Sequence, residues 1–255
     1  MPAVTLLTHT PNPERLVAAA AKLCYSPAGI GELLDGLSEE KTAGFLRMLM
    51  DLGHQSPLEH AVFTFGVEGV SRTLLAQITR HRIASFSVQS QRYVGENDFG
   101  YVMPPAIAGD EAATAAFEEG MREAGKAYDK LAGLLHARYA RELEEDGKAT
   151  PAALSAARKR AFEDARFVLP GACATKMILT MNARSLRGFF AQRCCNRAQW
   201  EIRGVAGEML SLCRQASPLL FAGAGPSCVG GSCPEGKMSC GAGAQMRRRY
   251  AGDKG

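Results

Sequence analysis

Apolar residues recur along this chain at two spacings, and the switch between them predicts its elements. From the N-terminus, Val4 to Leu7 reads as a short strand, and Asn12-Pro13-Glu14 opens a helix running to Leu23, with a capping side chain, a proline in the first turn and an acid at its positive end. Pro27, Gly29, Gly31 and Gly36 break the pattern. Ser38-Glu39-Glu40 then starts a helix with Phe45, Leu46, Leu49 and Met50 on one face, which Gly53 ends.

Strict alternation over 61–67 puts Phe63, Phe65 and Val67 on one side of a half-buried strand. Leu74, Leu75 and Ile78 predict a helix over 71–80, and the Ser/Gln-rich run after it reads as irregular. Between Asp110 and Asp146, Phe117, Met121, Tyr128, Leu131, Leu135 and Tyr139 fall close to helical spacing and predict one long, exposed, one-sided helix. Thr150-Pro151 caps another, to about Phe167, which Pro170-Gly171 terminates. Thr175 to Met181 reads as a strand, Asn182 as the N-cap of a helix reaching Arg193, and about 197–215 as the last helix. Strands and helices alternate irregularly and no Gly-x-Gly-x-x-Gly turn occurs, so a doubly wound dinucleotide-binding fold is not supported. The expected class is α+β: one domain, a central, mainly antiparallel sheet covered by helices. The break falls at residue 223, giving a catalytic domain over 1–222 and a Gly/Cys-rich tail over 223–255.

Composition narrows the function classes. Hydrophobic residues at 46% and charged residues at 22% over 255 residues are those of an ordinary globular protein. A net charge of +4 is too small to argue for nucleic acid. No signal peptide and no apolar run of membrane-spanning length is visible, so the expected location is cytoplasmic, with no membrane partner. Cys24, Cys173, Cys194, Cys195 and Cys213 lie in or beside apolar segments, where free thiols act as small hydrophobes.

The chemistry concentrates in Arg80-His-Arg-Ile-Ala-Ser-Phe-Ser-Val-Gln-Ser-Gln-Arg92. Three arginines, one histidine, three serines and two glutamines in thirteen residues cannot be buried cheaply unless paired. Guanidinium forks match phosphate oxygens two at a time, and hydroxyls and amides orient at short range, so the segment reads as the wall of a pocket for an anion. A solvated basic loop is the plainer reading of an arbitrary Arg-His-Arg triplet.

Further fragments settle the choice. The triplet with Ser90 and Arg92 at their spacing, His54-Gln-Ser-Pro-Leu-Glu-His60 leading into Phe63-Thr-Phe65, Arg166-Phe-Val-Leu-Pro170, Asn182-Ala-Arg-Ser-Leu186 and Ala198-Gln-Trp-Glu-Ile202 together resemble the flavin-dependent thymidylate synthases (thymidylate synthase-complementing proteins), in that family's order over roughly 40–215. The resemblance implies methylation of dUMP to dTMP, with 5,10-methylenetetrahydrofolate and NADPH as co-substrates, FAD as cofactor, and a homotetramer with shared active sites. Its flavin contacts fall on Ser56, on Arg80, His81 and Arg82, on Asn182, Ala183 and Arg184, and on Gly188. Its nucleotide contacts fall on Gln77, Ile78, Thr79 and Arg80, on Val88, Gln89, Ser90, Gln91 and Arg92, and on Arg166 and Arg193. Arg193 is the expected catalytic residue, holding the uracil deprotonated at N3. Ser87-Val88 stands where many members carry Asn-Glu, Gly188 where some carry Asn, and Arg197 where some carry His.

Rival readings are weaker. His54, Glu59 and His60 lack the helical spacing of a zinc site, and no metal is expected. Ser90 has no relay to activate it as a nucleophile. Nucleic-acid binding through Arg80, Arg82, Arg92 and Arg247 to Arg249 lacks interleaved aromatics. Cys228-x4-Cys233-x6-Cys240 fits a metal with a fourth ligand from elsewhere, a regulatory disulfide or a flexible end, and its spacing is not that of a standard zinc ribbon.

Overall fold

The computed structural model describes residues 2–90 and 99–250. In order they form β1 (Ala3–His9), α1 (Pro13–Leu23), α2 (Ile30–Asp35), α3 (Glu39–Asp51), a 3-10 turn (Ser56–His60), β2 (Val62–Ser71), α4 (Arg72–Ile78) and β3 (Ser85–Val88). There follow α5 (Pro105–Ala108), α6 (Glu111–Glu145), α7 (Pro151–Ala165), a 3-10 turn (Arg166–Val168), β4 (Ala174–Asn182), α8 (Ala183–Arg193) and α9 (Trp200–Ala216). Two 3-10 turns (Ser227–Gly230, Gly236–Met238) and α10 (Gly243–Tyr250) complete the described chain. The class is α+β, as expected, with one four-stranded sheet of order β1-β2-β4-β3. β1 runs antiparallel to β2, Val4 opposite Val67 and Leu6 opposite Phe65, with an irregularity between Leu6 and Thr8.

The chain divides into two compact units, one of residues up to 68, 76–87 and from 177 on, the other of 69–75 and 88–176. In the first, the alternation of β2 buries Phe63, Phe65 and Val67 completely, and Leu179, Leu186, Phe189, Phe190 and Phe221 are buried with them. Edge-to-face aromatic pairs run Phe63–Phe221 (5.2 Å), Phe221–Phe190 (6.0 Å), Phe190–Phe189 (5.7 Å) and Phe189–His81 (5.0 Å), carrying the rigidity of the core out to the Arg-His-Arg motif. In the second unit, α6 and α7 pack along two small clusters, Tyr128, Ala132 and Ala165, then Tyr139, Ala157 and Ala161. Their alanines let the helices approach closely, and Tyr139 Oη donates to Asp164 Oδ2 at 3.0 Å.

Several boundaries follow the local chemistry. Ser38, Asp110, Thr150 and Asn182 each accept a backbone N–H of the first turn of the helix that follows. Gly53, at φ 72°, closes α3, with His54 N–H on Leu49 O and Gly53 N–H on Met50 O. Others depart from expectation. Asn12 makes no side-chain cap; it sits at φ 45°, and the Glu14 carboxylate instead accepts from Ser217 Oγ (3.0 Å) and Leu219 N–H (2.7 Å). The glycine-interrupted stretch after α1 holds a six-residue helix, α2, whose Leu33 is buried. The Ser/Gln run is not irregular: Ser85–Val88 alternates and joins β4 as an edge strand. α4 stops at Ile78, α7 at Ala165, and α9 begins at Trp200, capped by Gln199.

Candidate functional site

Helix α8 follows β4 directly, with the last strand residue, Asn182, as its N-cap. Asn182 Oδ1 caps it, accepting from Ser185 N–H at 2.8 Å, and Ala183 N–H donates to Ala61 O at 2.8 Å, which fixes the helix start to the end of the His54–His60 stretch. Leu186, Phe189 and Phe190 anchor one face in the core. The opposite face, with Asn182, Arg184, Arg187 and Gly188, looks into a cavity of about 590 Å³. Gln55 and Glu59, Ile83, and the segment Gly223–Ser227 with Gly230 complete its lining.

The charges are uneven. Arg184 Nη1 pairs with Glu59 Oε1 at 2.5 Å, both half exposed. Among the described residues Arg187 donates to two carbonyls, Leu220 O at 2.8 Å and Ala222 O at 3.1 Å, and burial pulls its pKa below the ordinary guanidinium value. The cavity therefore carries positive potential beside an amide and a strip of glycines, a donor set suited to an anionic ligand approached closely by backbone.

At the far end of α8, Arg193 Nε donates to His81 Nε2 at 3.2 Å and Arg193 Nη2 reaches Gln77 O at 3.5 Å. Half-burial, and secondarily the guanidinium itself, hold the His81 pKa below its ordinary 6.5. A neutral ring accepts at Nε2 and keeps its proton on Nδ1, so the pair is a donor and an acceptor rather than two cations. A cation in the last turn also suits the helix dipole.

Of the expected flavin contacts, Asn182, Arg184 and Gly188 thus line one cavity. Ser56 opens the 3-10 turn, and Arg80 and Arg82 lie exposed beyond α4; none of the three is among the cavity-lining residues. Ile78 and Ala183 are fully buried, leaving their backbone for any contact. Thr79 is exposed. In the second unit, Val88, Gln89 and Ser90 are half-buried at the end of β3; Gln89 N–H donates to Lys176 O (3.0 Å) and its carbonyl accepts from Arg72 Nη2 (2.8 Å). Arg166 follows α7 directly, half-buried, beside Phe167, which is 83% exposed. Gln91 and Arg92 lie outside the described residues.

Sequence reasoning missed Ile83, Arg187 and the glycine-rich lining. Arg187 had a signal, three residues after Arg184 on one helix face; the glycines had none.

Two comparisons bear on this arrangement. The family described as thymidylate synthase complementing protein matches residues 5–219. Among similar proteins, each named flavin-dependent thymidylate synthase, that of Clostridium tetani is 55% identical over 97% of this chain and 96% of its own. That of Nitratidesulfovibrio vulgaris is 50% identical over 94% of each, and that of Geobacter sulfurreducens 48% over 97% of each. With most of its length matched, and with Asn182, Arg184 and Gly188 gathered around one cavity, the chain belongs to the thymidylate synthase complementing protein family.

Proposed function

We infer that this chain is a flavin-dependent thymidylate synthase, methylating carbon 5 of dUMP to give dTMP with 5,10-methylenetetrahydrofolate as carbon donor and NADPH as reductant of FAD. The observation that carries this reading is convergence: Gln55 and Glu59 of the His54–His60 stretch, Ile83 next to the Arg-His-Arg triplet, and Asn182, Arg184 and Gly188 at the start of α8, far apart in sequence, line one cavity. Its donors fit the cofactor. Asn182, Arg184 and Gly188 hold FAD, with Ser56, Arg80, His81, Arg82 and Ala183 completing its contacts. Bound FAD, reduced by NADPH, supplies the hydride that turns the transferred one-carbon unit into a methyl group.

The chain's own residues bind and polarise. A nucleoside monophosphate carries about two negative charges near neutral pH, by analogy with phosphoserine, and Arg92 with Arg166 neutralises them. Gln77, Ile78, Thr79, Val88, Gln89, Ser90 and Gln91 frame the nucleotide through side chains and backbone. Arg193, its Nε fixed by neutral His81, presents its remaining N–H groups to the uracil and stabilises the N3 anion.

Shared active sites in a homotetramer belong to the same reading. Ile83, 71% exposed next to Arg82, and Phe167, 83% exposed next to Arg166, are apolar side chains in solvent beside site residues, as a subunit interface requires. Residues 1–222 form the catalytic domain in this reading, and 223–255 a Gly/Cys-rich tail whose residues Gly223–Ser227 and Gly230 contribute to the cavity's lining. A cytoplasmic location accords with the absence, among the described residues, of any helix long and apolar enough to cross a membrane.

The nucleic-acid alternative is not supported: the relatives are synthases, and Arg247, one of the cations it relied on, is bonded to Cys228 O and Gly231 O. The test is the visible spectrum of the purified protein followed by dUMP titration. A yellow protein whose flavin bands shift on adding dUMP is expected; a colourless protein that takes up neither FAD nor dUMP overturns the reading.

A further inference from the structure

The cavity beside α8 carries one charge that the fold leaves uncompensated. Its lining holds two guanidinium groups, Arg184 and Arg187, and, among the described residues, one carboxylate, Glu59. Glu59 is taken by Arg184 at 2.5 Å, so that pair is close to neutral. Arg187 has no carboxylate within ion-pair distance among the described residues. It is half-buried, and burial is the cause that lowers its pKa. A cation withdrawn from water without a counter-ion is costly, and a cavity that keeps one is suited to an anion.

The hydrogen bonds of Arg187 show where that anion sits. Both bonds that anchor it, to Leu220 O (2.8 Å) and Ala222 O (3.1 Å), come from one nitrogen, Nη1. Nε and Nη2 have no acceptor among the described residues, although Arg187 lines the cavity. The anchoring carbonyls lead straight into Gly223 (φ 63°) and Gly225 (φ 152°), which line the same cavity. The N–H groups of these two glycines likewise have no acceptor among the described residues. Lacking a Cβ, they let a ligand come close to the backbone. On α8 itself, a Cβ at the next residue, Gly188, would meet no atom within 4 Å, so the space beside Arg187 is open.

The lining also selects the kind of anion. Among the described residues no aromatic side chain lines the cavity and Ile83 is its only long apolar one, so it offers no slab for a flavin or adenine ring. What it offers is donors. Arg184 and Arg187 lie three apart on one helix face, a spacing that sets Cβ atoms about 5–6 Å apart, and two guanidinium groups so placed match two linked phosphates. Granted the flavin reading above, we propose that Arg187 is a cofactor-binding residue whose Nε and Nη2, together with the Gly223 and Gly225 N–H groups, take the diphosphate of FAD. Because the same guanidinium holds Leu220 O and Ala222 O, the bound diphosphate fastens the segment after α9 to α8.

The test titrates flavin-free full-length wild type, Arg187→Gln and Arg187→Lys with FAD and with riboflavin, which lacks the diphosphate, and measures competition of inorganic pyrophosphate against FAD. In Arg187→Gln the affinity for FAD should fall about 10–100-fold, with that for riboflavin unchanged. Arg187→Lys, which keeps the charge and loses the fork, should recover part of the loss. Pyrophosphate should displace FAD from the wild type and raise the melting temperature of the flavin-free protein. Equal losses for FAD and riboflavin would show that Arg187 only holds the segment in place, and would overturn the assignment; so would FAD affinity unchanged in Arg187→Gln. Where the variants do not fold, or riboflavin binds too weakly to titrate, the wild type decides: pyrophosphate that neither displaces FAD nor shifts the melting temperature overturns it. A wild type that takes up no flavin brings down the flavin reading as well, whereas the other contrary results leave that reading standing.

Discussion

Helix α8 and the segment Gly223–Gly230 line the same cavity, yet they are held there by different physics. α8 is positioned by periodicity: a capped start at Asn182, a buried stripe of Leu186, Phe189 and Phe190, and a polar face turned to the cavity. The segment has no such stripe. It is held by guanidinium groups from elsewhere in the chain, Arg214 on Ala224 O at 2.8 Å and Arg247 on Cys228 O at 3.3 Å, with Arg187 on Leu220 O and Ala222 O just before it. One wall of the site is fixed by the hydrophobic core, the other by backbone carbonyls caught by arginines, so the two should fail differently.

The sharpest separation comes from Arg193→Ala at the end of α8. Losing a preorganised charge at the reacting ring should cut kcat by about 10²–10³, with flavin still bound and thermal stability nearly unchanged; steady-state turnover and the flavin spectrum of the same sample check both halves. On the other wall, Gly225→Ala should act through stability instead. Gly225 has φ 152°, and a Cβ there would meet the Tyr250 ring at 3.1 Å. A loss of about 1–3 kcal/mol is expected, read as a lower urea midpoint together with weaker flavin retention.

Asn182→Ala tests the join between strand and helix. Removing the cap should cost about 1 kcal/mol, seen as a lower melting temperature in apoprotein and holoprotein alike. The smallest effect concerns pH. Because the folded pKa of His81 lies below 6.5, the unfolded chain takes up a proton first as pH falls. The stabilisation is therefore complete above 6.5 and lost as pH drops through the folded value. His81→Asn should flatten that acid slope of the urea midpoint, and in the wild type kcat should fall over the same window as protonated His81 ceases to accept from Arg193. An unchanged slope would contradict the donor and acceptor pairing.

How much of this was legible follows the same division. β2, α3, α6 and α8 were readable because each carries its own period and its own stop signal, such as Ser38 and Gly53 around α3. β3 was missed because four residues with two serines look like a loop, and only pairing with β4 makes them a strand. Asn12 was misread because its backbone is left-handed, at φ 45°, and its side chain makes no cap, and the partners of Glu14, Ser217 and Leu219, lie more than two hundred positions on. The cavity's motif residues were legible one by one through family resemblance. Its glycine-rich wall was not, since nothing local says which carbonyls an arginine will hold.

The central claim is that this cavity and Arg193 serve transfer to carbon 5 of dUMP, a step that must expel the hydrogen at that carbon. The most direct measurement is release of tritium from dUMP labelled at carbon 5, followed together with NADPH oxidation in the presence of FAD and methylenetetrahydrofolate. Label released in step with NADPH consumed, and slowed by about 10²–10³ in Arg193→Ala, is the predicted result. NADPH oxidised with the label still on the nucleotide would contradict it.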